Sequence, residues 1–334
     1  FPGEGDSPIK LRYWIPTMKP EGTLKEAVES TLSYLDSKEA RLHLERDPYW
    51  PKWDSPWWHM LALSEICLDH RIPSSLLELT AELMNSHYLH HFPLVESELP
   101  PGTDPFRNIL CHCAMGSMVS VLLQNDIDVL DALPWISPWI ERYQMDDGGF
   151  NCDEEAYTRL RPVSSLVSTL PMLELLTLLH SRALLDVEEP LARGYQYLIA
   201  HRFVRSQRSG EILDNSWLAP IFPRFYQYDI LRALAFAAEY TAAAESAIDN
   251  AGFAEALDTV GRWFNSDRES SPRIHTRDGS LLPDGAGGWS RGPSTSFPLL
   301  QELSKPDTAM KYLAVQWNRV KWFLEAESTS PCTP

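Results

Sequence analysis

Residues 134–150 read PWISPWIERYQMDDGGF. Trp135, Ile136, Trp139, Ile140 and Tyr143 recur at the three- and four-residue steps of a helix, so the first half is amphipathic and helical. The second half looks like chemistry, with a glutamine, paired aspartates, two glycines and an aromatic. It reads better as a clasp. Gln144 and Asp147 can tie a helix end to the following turn, Gly148 and Gly149 allow tight backbone, and Phe150 packs between helices. Cys152, Asp153 and Glu154 come next and remain open, because they lead into another helix and could reach a cavity mouth.

Working outward, the same pattern recurs. LKEAVESTLSYLDS, LELTAELMNSHYLHH, LDALPWISPWIERYQ, LARGYQYLIAHR and FAEALDTVGRWFNSD are amphipathic segments marked by Tyr34, Tyr88, Trp139, Tyr197 and Trp263. Between them lie more apolar segments: WWHMLALSEICL, NILCHCAMGSMVSVLL, SSLVSTLPMLELLTLLH and YQYDILRALAFAAEY. TAMKYLAVQWNRVKWFLEA forms a final helix. Strand signals are nearly absent, with few alternating β-branched runs and no Asn-Gly hairpin. Helices apolar on all sides are buried and make an inner ring, while amphipathic partners make an outer one. The expectation is an all-α fold, an α/α toroid of five or six helix pairs around a central cavity. It would occupy residues 23–326 as one domain, with an N-terminal arm at 1–22 and a tail at 327–334. An open solenoid stacks the same pairs without closing.

Composition narrows the function classes. A net charge of −17 over 334 residues disfavours nucleic acid and anionic membrane surfaces as partners, since both call for basic surface. No apolar run approaches the roughly 20 residues that span a bilayer, so no stable membrane insertion is expected. Five scattered cysteines, Cys67, Cys111, Cys113, Cys152 and Cys332, favour reduced thiols and a cytoplasmic location. The opening FPGEGDSPIKLRYW has neither the charged nor the apolar region of a signal peptide. Lacking an initiator Met, it need not be the natural start. Twelve each of Trp, Tyr and Phe exceed the needs of a core and call for a reason.

PWISPWIERYQMDDGGF resembles the QW repeat of the terpenoid cyclases and protein prenyltransferases, in which a helix ends in Gln before Asp-Gly-Gly and an aromatic. Gln144, Asp147, Gly148, Gly149 and Phe150 match that pattern, and PDGAGGWSRGPSTSF echoes it with Asp284, Gly287, Gly288 and Trp289. DGGFNC, RPVSSLVST, IAHRFVRS and FPRFYQYDILRAL are similar to the small single-domain squalene-cyclase-like proteins of microbes. The resemblance implies an α/α toroid with a site at the cavity mouth. The chain departs from it in having no Asp-x-Asp-Asp proton donor, only Asp126 and Asp128 in NDIDVLD, and no Asp-Asp-x-x-Asp diphosphate motif.

Helix N-termini converging on a cavity mouth would make residues there its lining. In PKWDSPWWHM, Asp54 stands among Trp53, Trp57 and Trp58. It serves either as an N-cap with Pro56 in the first turn or as an acid whose carboxyl pKa a dry aromatic wall raises. His59 could hold its second oxygen. The second inner helix offers Asn108, Cys111, His112 and Cys113, with Cys113 assigned to the substrate lining. Successive helical residues point about 100° apart, so Cys-His-Cys within a helix does not chelate one ion. In FPRFYQYDILRAL, Tyr226 and Tyr228 join the wall. Asp229, inside an apolar helix, is a second acid or the ion-pair partner of Arg232.

These residues point to an isomerase or cyclase that needs no metal or cofactor. A carboxylic acid protonates an epoxide or alkene on a hydrophobic terpenoid or prenylated small molecule. Aromatic faces then stabilise the cation by about 0.5–2 kcal/mol per ring, and exclusion of water prevents early capture. The alternatives are a zinc-dependent prenyltransferase-like enzyme using Asp147 and Cys152, a carbohydrate-active toroid, and a non-catalytic isoprenoid-binding barrel. Substrate identity and oligomeric state are not encoded legibly.

Overall fold

A computed structural model describes residues 19–243, 250–266, 272–273 and 279–328. In chain order the helices are α1 (Gly22–Leu35), α2 (Lys38–Arg46), α3 (Pro56–Glu65), α4 (Ser74–His87), α5 (His112–Gln124), α6 (Val129–Ala132) and α7 (Ile136–Tyr143). They continue as α8 (Glu154–Thr158), α9 (Leu166–Ser181), α10 (Glu188–Ala200), α11 (Ile230–Ala243), α12 (Asn250–Phe264), α13 (Pro298–Leu303) and α14 (Pro306–Ser328). The chain is therefore mostly helical. The expected arm and tail fall largely outside the described residues.

Burial separates the helices as their composition requires. Every residue of α5 is buried, as is α3 from Pro56 to Leu63. By contrast α4 buries only the stripe Leu76, Leu77, Thr80, Ala81 and Met84, and α7 only Ile136, Trp139, Ile140 and Tyr143. Those spacings of three and four are one helical face. Each fully buried large apolar side chain contributes about 1.5–3 kcal/mol, so the inner helices carry much of the stability.

The tightest helix contact is between α5 and α9. A Cβ on Gly116 would lie 2.5 Å from the carbonyl carbon and oxygen of Pro171, so the two backbones touch there. The hydroxyls inside α5 are absorbed locally, Ser117 Oγ donating to the Cys113 carbonyl and Ser120 Oγ to that of Gly116. Contacts run from α3 to α5, α9, α11, α14 and α13, and from α13 back to α3. Outside this path α1 packs on α3 and α13, and α10 on α9, α11 and α12.

One segment differs from expectation. PDGAGGW, read above as a second QW echo, is the turn of a hairpin joining β1 (Gly279–Pro283) to β2 (Trp289–Pro293). Asp284 Oδ1 accepts hydrogen bonds from the backbone of Ala286 at 3.1 Å and Gly288 at 2.7 Å. An aspartate capturing nearby backbone N–H groups closes a tight turn whatever follows it, so the same residue types serve strands here. No helix among the described residues is long and apolar enough to cross a membrane.

Candidate active site: an aromatic rim and a thiol cluster

The turn before α3 is built on Asp47, a fully buried carboxylate that sequence reading passed over. Its Oδ1 accepts from the backbone of Tyr49 and Trp50 at 3.0 and 2.9 Å, while Oδ2 lies 2.8 Å from Arg107 Nε and 3.3 Å from His87 Nε2. The Tyr49 carbonyl then accepts from Ser55 Oγ and Trp58 Nε1. Tyr49 is fixed edge-on to Trp58, with ring centroids 4.7 Å apart, and Trp58 edge-on to Trp53 at 4.4 Å.

The facing wall comes from the loop ahead of α11. Glu65, at the end of α3, accepts from the backbone of Arg224 at 3.2 Å and Phe225 at 2.7 Å. Arg224 Nε pairs with Asp229 Oδ2 at 2.8 Å. Arg232 Nη1 donates to the carbonyls of Phe225 and Gln227. So held, Phe225 stacks on Trp53 at 5.4 Å with 20° between planes, and Tyr226 follows at 6.4 Å.

A cation sits among these rings. Lys52 Nζ is 5.0 Å from the Tyr226 centroid, 5.5 Å from those of Trp50 and Trp53, and 5.7 Å from that of Tyr49. It also donates to Tyr226 Oη at 3.0 Å. Lys52, Tyr49 and Phe225 were not legible as site residues, because nothing local distinguishes them from surface or core.

Beside the rim three sulfurs converge. Cys111 Sγ and Cys113 Sγ are 3.3 Å apart, Cys113 Sγ and Cys152 Sγ 3.7 Å, and all three lie within 4.8 Å of one another. The expectation that Cys111 and Cys113 diverge on a helix is corrected here. Cys111 is the N-cap of α5, with extended φ −78° and ψ 152°, so only Cys113 obeys the helical step. Cys152 arrives just beyond the clasp, its backbone N–H donating to Ser168 Oγ of α9 at 3.0 Å. Hydrogen bonding with the Cys111 and Cys113 thiols holds Cys152 well below the usual thiol range. Cys113, bonded to Cys111 and Cys152, is pushed up in turn. Burial raises the Tyr49 hydroxyl, with Tyr226, Cys111 and Cys113 adding to it, so Tyr49 links the rim to the sulfurs.

The remaining expected residues divide between rim and framework. Trp53, Trp58, Tyr226 and Cys113 come together, and Trp57 borders them with its ring 5.8 Å from Tyr49. Tyr228 faces elsewhere, donating to the Phe203 carbonyl and lying 4.9 Å from Trp217. Asp54 is half-buried ahead of α3, where Ser55 rather than Asp54 is the N-cap. Its carbonyl accepts from Tyr34 Oη at 3.1 Å. Burial first, then the Asp54 charge, pushes the Tyr34 hydroxyl up. His59 stacks on Phe297 at 3.8 Å and lies tilted by 43° against Tyr34 at 4.5 Å, and burial lowers its pKa to about 3. Asp229 is not inside α11 but one residue before it. Its Oδ1 accepts from Arg232 N at 2.8 Å in the manner of an N-cap, and Oδ2 accepts from Arg224 and Ile221. The ion-pair partner of Arg232 is Glu174, at 2.7 Å.

The clasp behaves as a clasp. Gln144 Nε2 donates to the carbonyls of Gly148 at 2.8 Å and Pro190 at 2.7 Å. Asp147 accepts from Gly149 N and from the backbone and hydroxyl of Ser164, and so shares no metal-ligating group with Cys152 among the described residues.

Below the rim a cavity of about 100 Å³ lies between α3, α5, α9, α11 and α14. Its lining mixes charged side chains, Glu65, Glu174, Arg224 and Arg232, with Phe222, Phe225 and Tyr312, where an aromatic lining was expected. Tyr49, Trp50 and Trp53 precede α3 in the chain, so the rim gathers there, while Glu174 of α9 and Arg232 of α11 pair between their helices. No protein-family model, curated protein or solved structure matches the chain.

Proposed function

We propose that the chain is a small α/α toroid related to the terpenoid cyclases and protein prenyltransferases. In this reading it isomerises or cyclises a terpenoid or prenylated small molecule through a cationic intermediate. The closed path of contacts through α3, α5, α9, α11, α14 and α13 supports the toroid. The observation that carries the chemistry is Lys52: an ammonium already rests where the faces of Tyr49, Trp50, Trp53 and Tyr226 converge. Ring faces that hold one cation hold another by about 0.5–2 kcal/mol each. A developing carbocation would therefore take this place with Lys52 swung aside, since two like charges side by side repel. Asp54, half-buried beside Trp53 and in no ion pair among the described residues, is the proton donor to an epoxide oxygen or alkene. Asp229 is not assigned that role, because both of its oxygens already accept hydrogen bonds.

Incubation of the purified protein with a panel of prenylated and terpenoid epoxides tests the reading. Wild type yields isomerised or cyclised product, Asp54→Asn lowers kcat by about 100-fold or more, and Trp53→Leu lowers it by about tenfold. Full turnover in Asp54→Asn removes the acid assignment. Tight binding of the same compounds without turnover by wild type identifies a non-catalytic isoprenoid-binding barrel instead.

A further inference from the structure

We propose that Cys111, Cys113 and Cys152 bind one soft divalent metal ion, zinc first among them, with a fourth coordination position left to water. A tetrahedral zinc with Zn–S of about 2.3 Å sets its thiolates about 3.8 Å apart. The sulfurs here stand at 3.3 and 3.7 Å, with the third pair inside 4.8 Å. That spacing is far beyond the roughly 2.05 Å of a disulfide, and all three cysteines are free.

The convergence is built rather than incidental. Extended backbone at Cys111 turns its sulfur to the same side as that of Cys113. The glycine clasp delivers Cys152 from 39 residues away, and Ser168 pins it. All three sulfurs meet at the start of α5, whose dipole favours thiolate over thiol.

A second observation is independent of the sulfurs. Beside them, the buried Tyr88 Oη lacks a hydrogen-bond partner among the described residues, and the ring nitrogens of His112 find none but the Cys152 thiol. Tyr88 is electrostatically coupled to Cys111, and His112 to Cys152. Buried polar groups left unpaired are rare in folded proteins, and a metal with its bound water supplies the acceptor and charge that such groups require. No other His, Cys, Asp or Glu atom among the described residues joins the three sulfurs within that radius. The fourth position is therefore exchangeable, as in sites that bind a ligand rather than merely brace a fold.

The metal site and the acid assigned to Asp54 have separate readouts, metal content here and turnover there. The reduced, chelator-treated full chain is titrated with Co²⁺ and then Zn²⁺. One Co²⁺ per chain binds, with near-ultraviolet thiolate-to-cobalt charge-transfer absorption that zinc abolishes. Cys113→Ser and Cys152→Ser each weaken binding by more than the roughly 10–100-fold that loss of an outer partner costs; Cys67→Ser leaves it unchanged. Circular dichroism checks that each variant is folded, and if one is not, the other is read. Absence of the charge-transfer band in wild type overturns the proposal. So does a band of equal strength in the folded serine variants, or a Cys111–Cys113 disulfide formed with no metal bound.

Discussion

The clasp at Gln144–Phe150 and the rim with its sulfurs adjoin in the chain only at Cys152, and they treat polar groups in opposite ways. In the clasp every donor and acceptor named above is matched: Gln144 with Gly148 and Pro190, Asp147 with Gly149 and Ser164, the Phe150 N–H with Thr169. In the rim and beside its sulfurs, Trp57 Nε1 and Tyr88 Oη have no hydrogen-bond partner among the described residues. A matched network fixes one geometry and gains nothing from a ligand. Unmatched buried groups cost stability and are retained where something else completes them. The residues that looked most chemical in the sequence are thus bound into the clasp, and Cys152, two residues beyond it, joins the sulfur cluster.

The contrast can be broken at its strong end first. Gly148 has φ of +94°, and a Cβ there would sit 2.3 Å from the Arg193 carbonyl oxygen. Gly148→Ala is therefore expected to destabilise the protein by about 3 kcal/mol in urea titration. A loss under about 0.5 kcal/mol would show that the turn rearranges and that the clasp is not rigid.

A smaller effect is expected at His59, whose Nδ1 is also unpartnered among the described residues. Burial first, with His43 adding to it, lowers its pKa to about 3 from 6.5. The unfolded chain therefore takes up the proton more readily, so this contribution to stability is complete above about pH 6.5 and falls as the pH drops towards 3. At pH 5 the loss is about 2 kcal/mol. In urea titrations the stability difference between His59→Phe and wild type should shift by about 2 kcal/mol in favour of the variant from pH 7 to pH 5, and parallel curves would contradict the assignment.

The smallest effect sharpens the comparison most. Tyr88→Phe removes a buried hydroxyl with no hydrogen bond among the described residues, so metal-free stability should change by less than about 0.5 kcal/mol or rise slightly. A loss above about 1 kcal/mol would mean that this hydroxyl has a partner in solution and that the rim is as matched as the clasp.

The helix inventory was legible because burial and periodicity are linked locally. α1, α4, α7, α10 and α12 fall on the five amphipathic segments, and α3, α5, α9 and α11 on the apolar ones. α2, α8 and α13 were missed, being short segments whose helicity depends on neighbours. The hairpin at 279–293 was missed because Asp-Gly-rich turns close helices and strands alike. Trp53, Trp58, Tyr226 and Cys113 were expected from their position before or at the start of apolar helices, and Trp53, Trp58 and Tyr226 lie ring to ring. Arg224 was not recognised as the partner of Asp229, because pairing by helical spacing suggested Arg232, three residues on, and the chain reverses before α11 instead.

What the sequence alone determined is therefore the class of structure: which stretches are helical, which of those are buried on every side, and that Gly148 and Gly149 mark a tight turn. Each follows from interactions within a few residues. Only the tertiary structure decided that Cys152 meets Cys111 and Cys113, that Lys52 enters the ring of Tyr49, Trp50, Trp53 and Tyr226, and that charged side chains meet in the cavity between α3, α5, α9, α11 and α14. Those contacts join segments far apart in the chain, and their geometry is set by how whole helices pack.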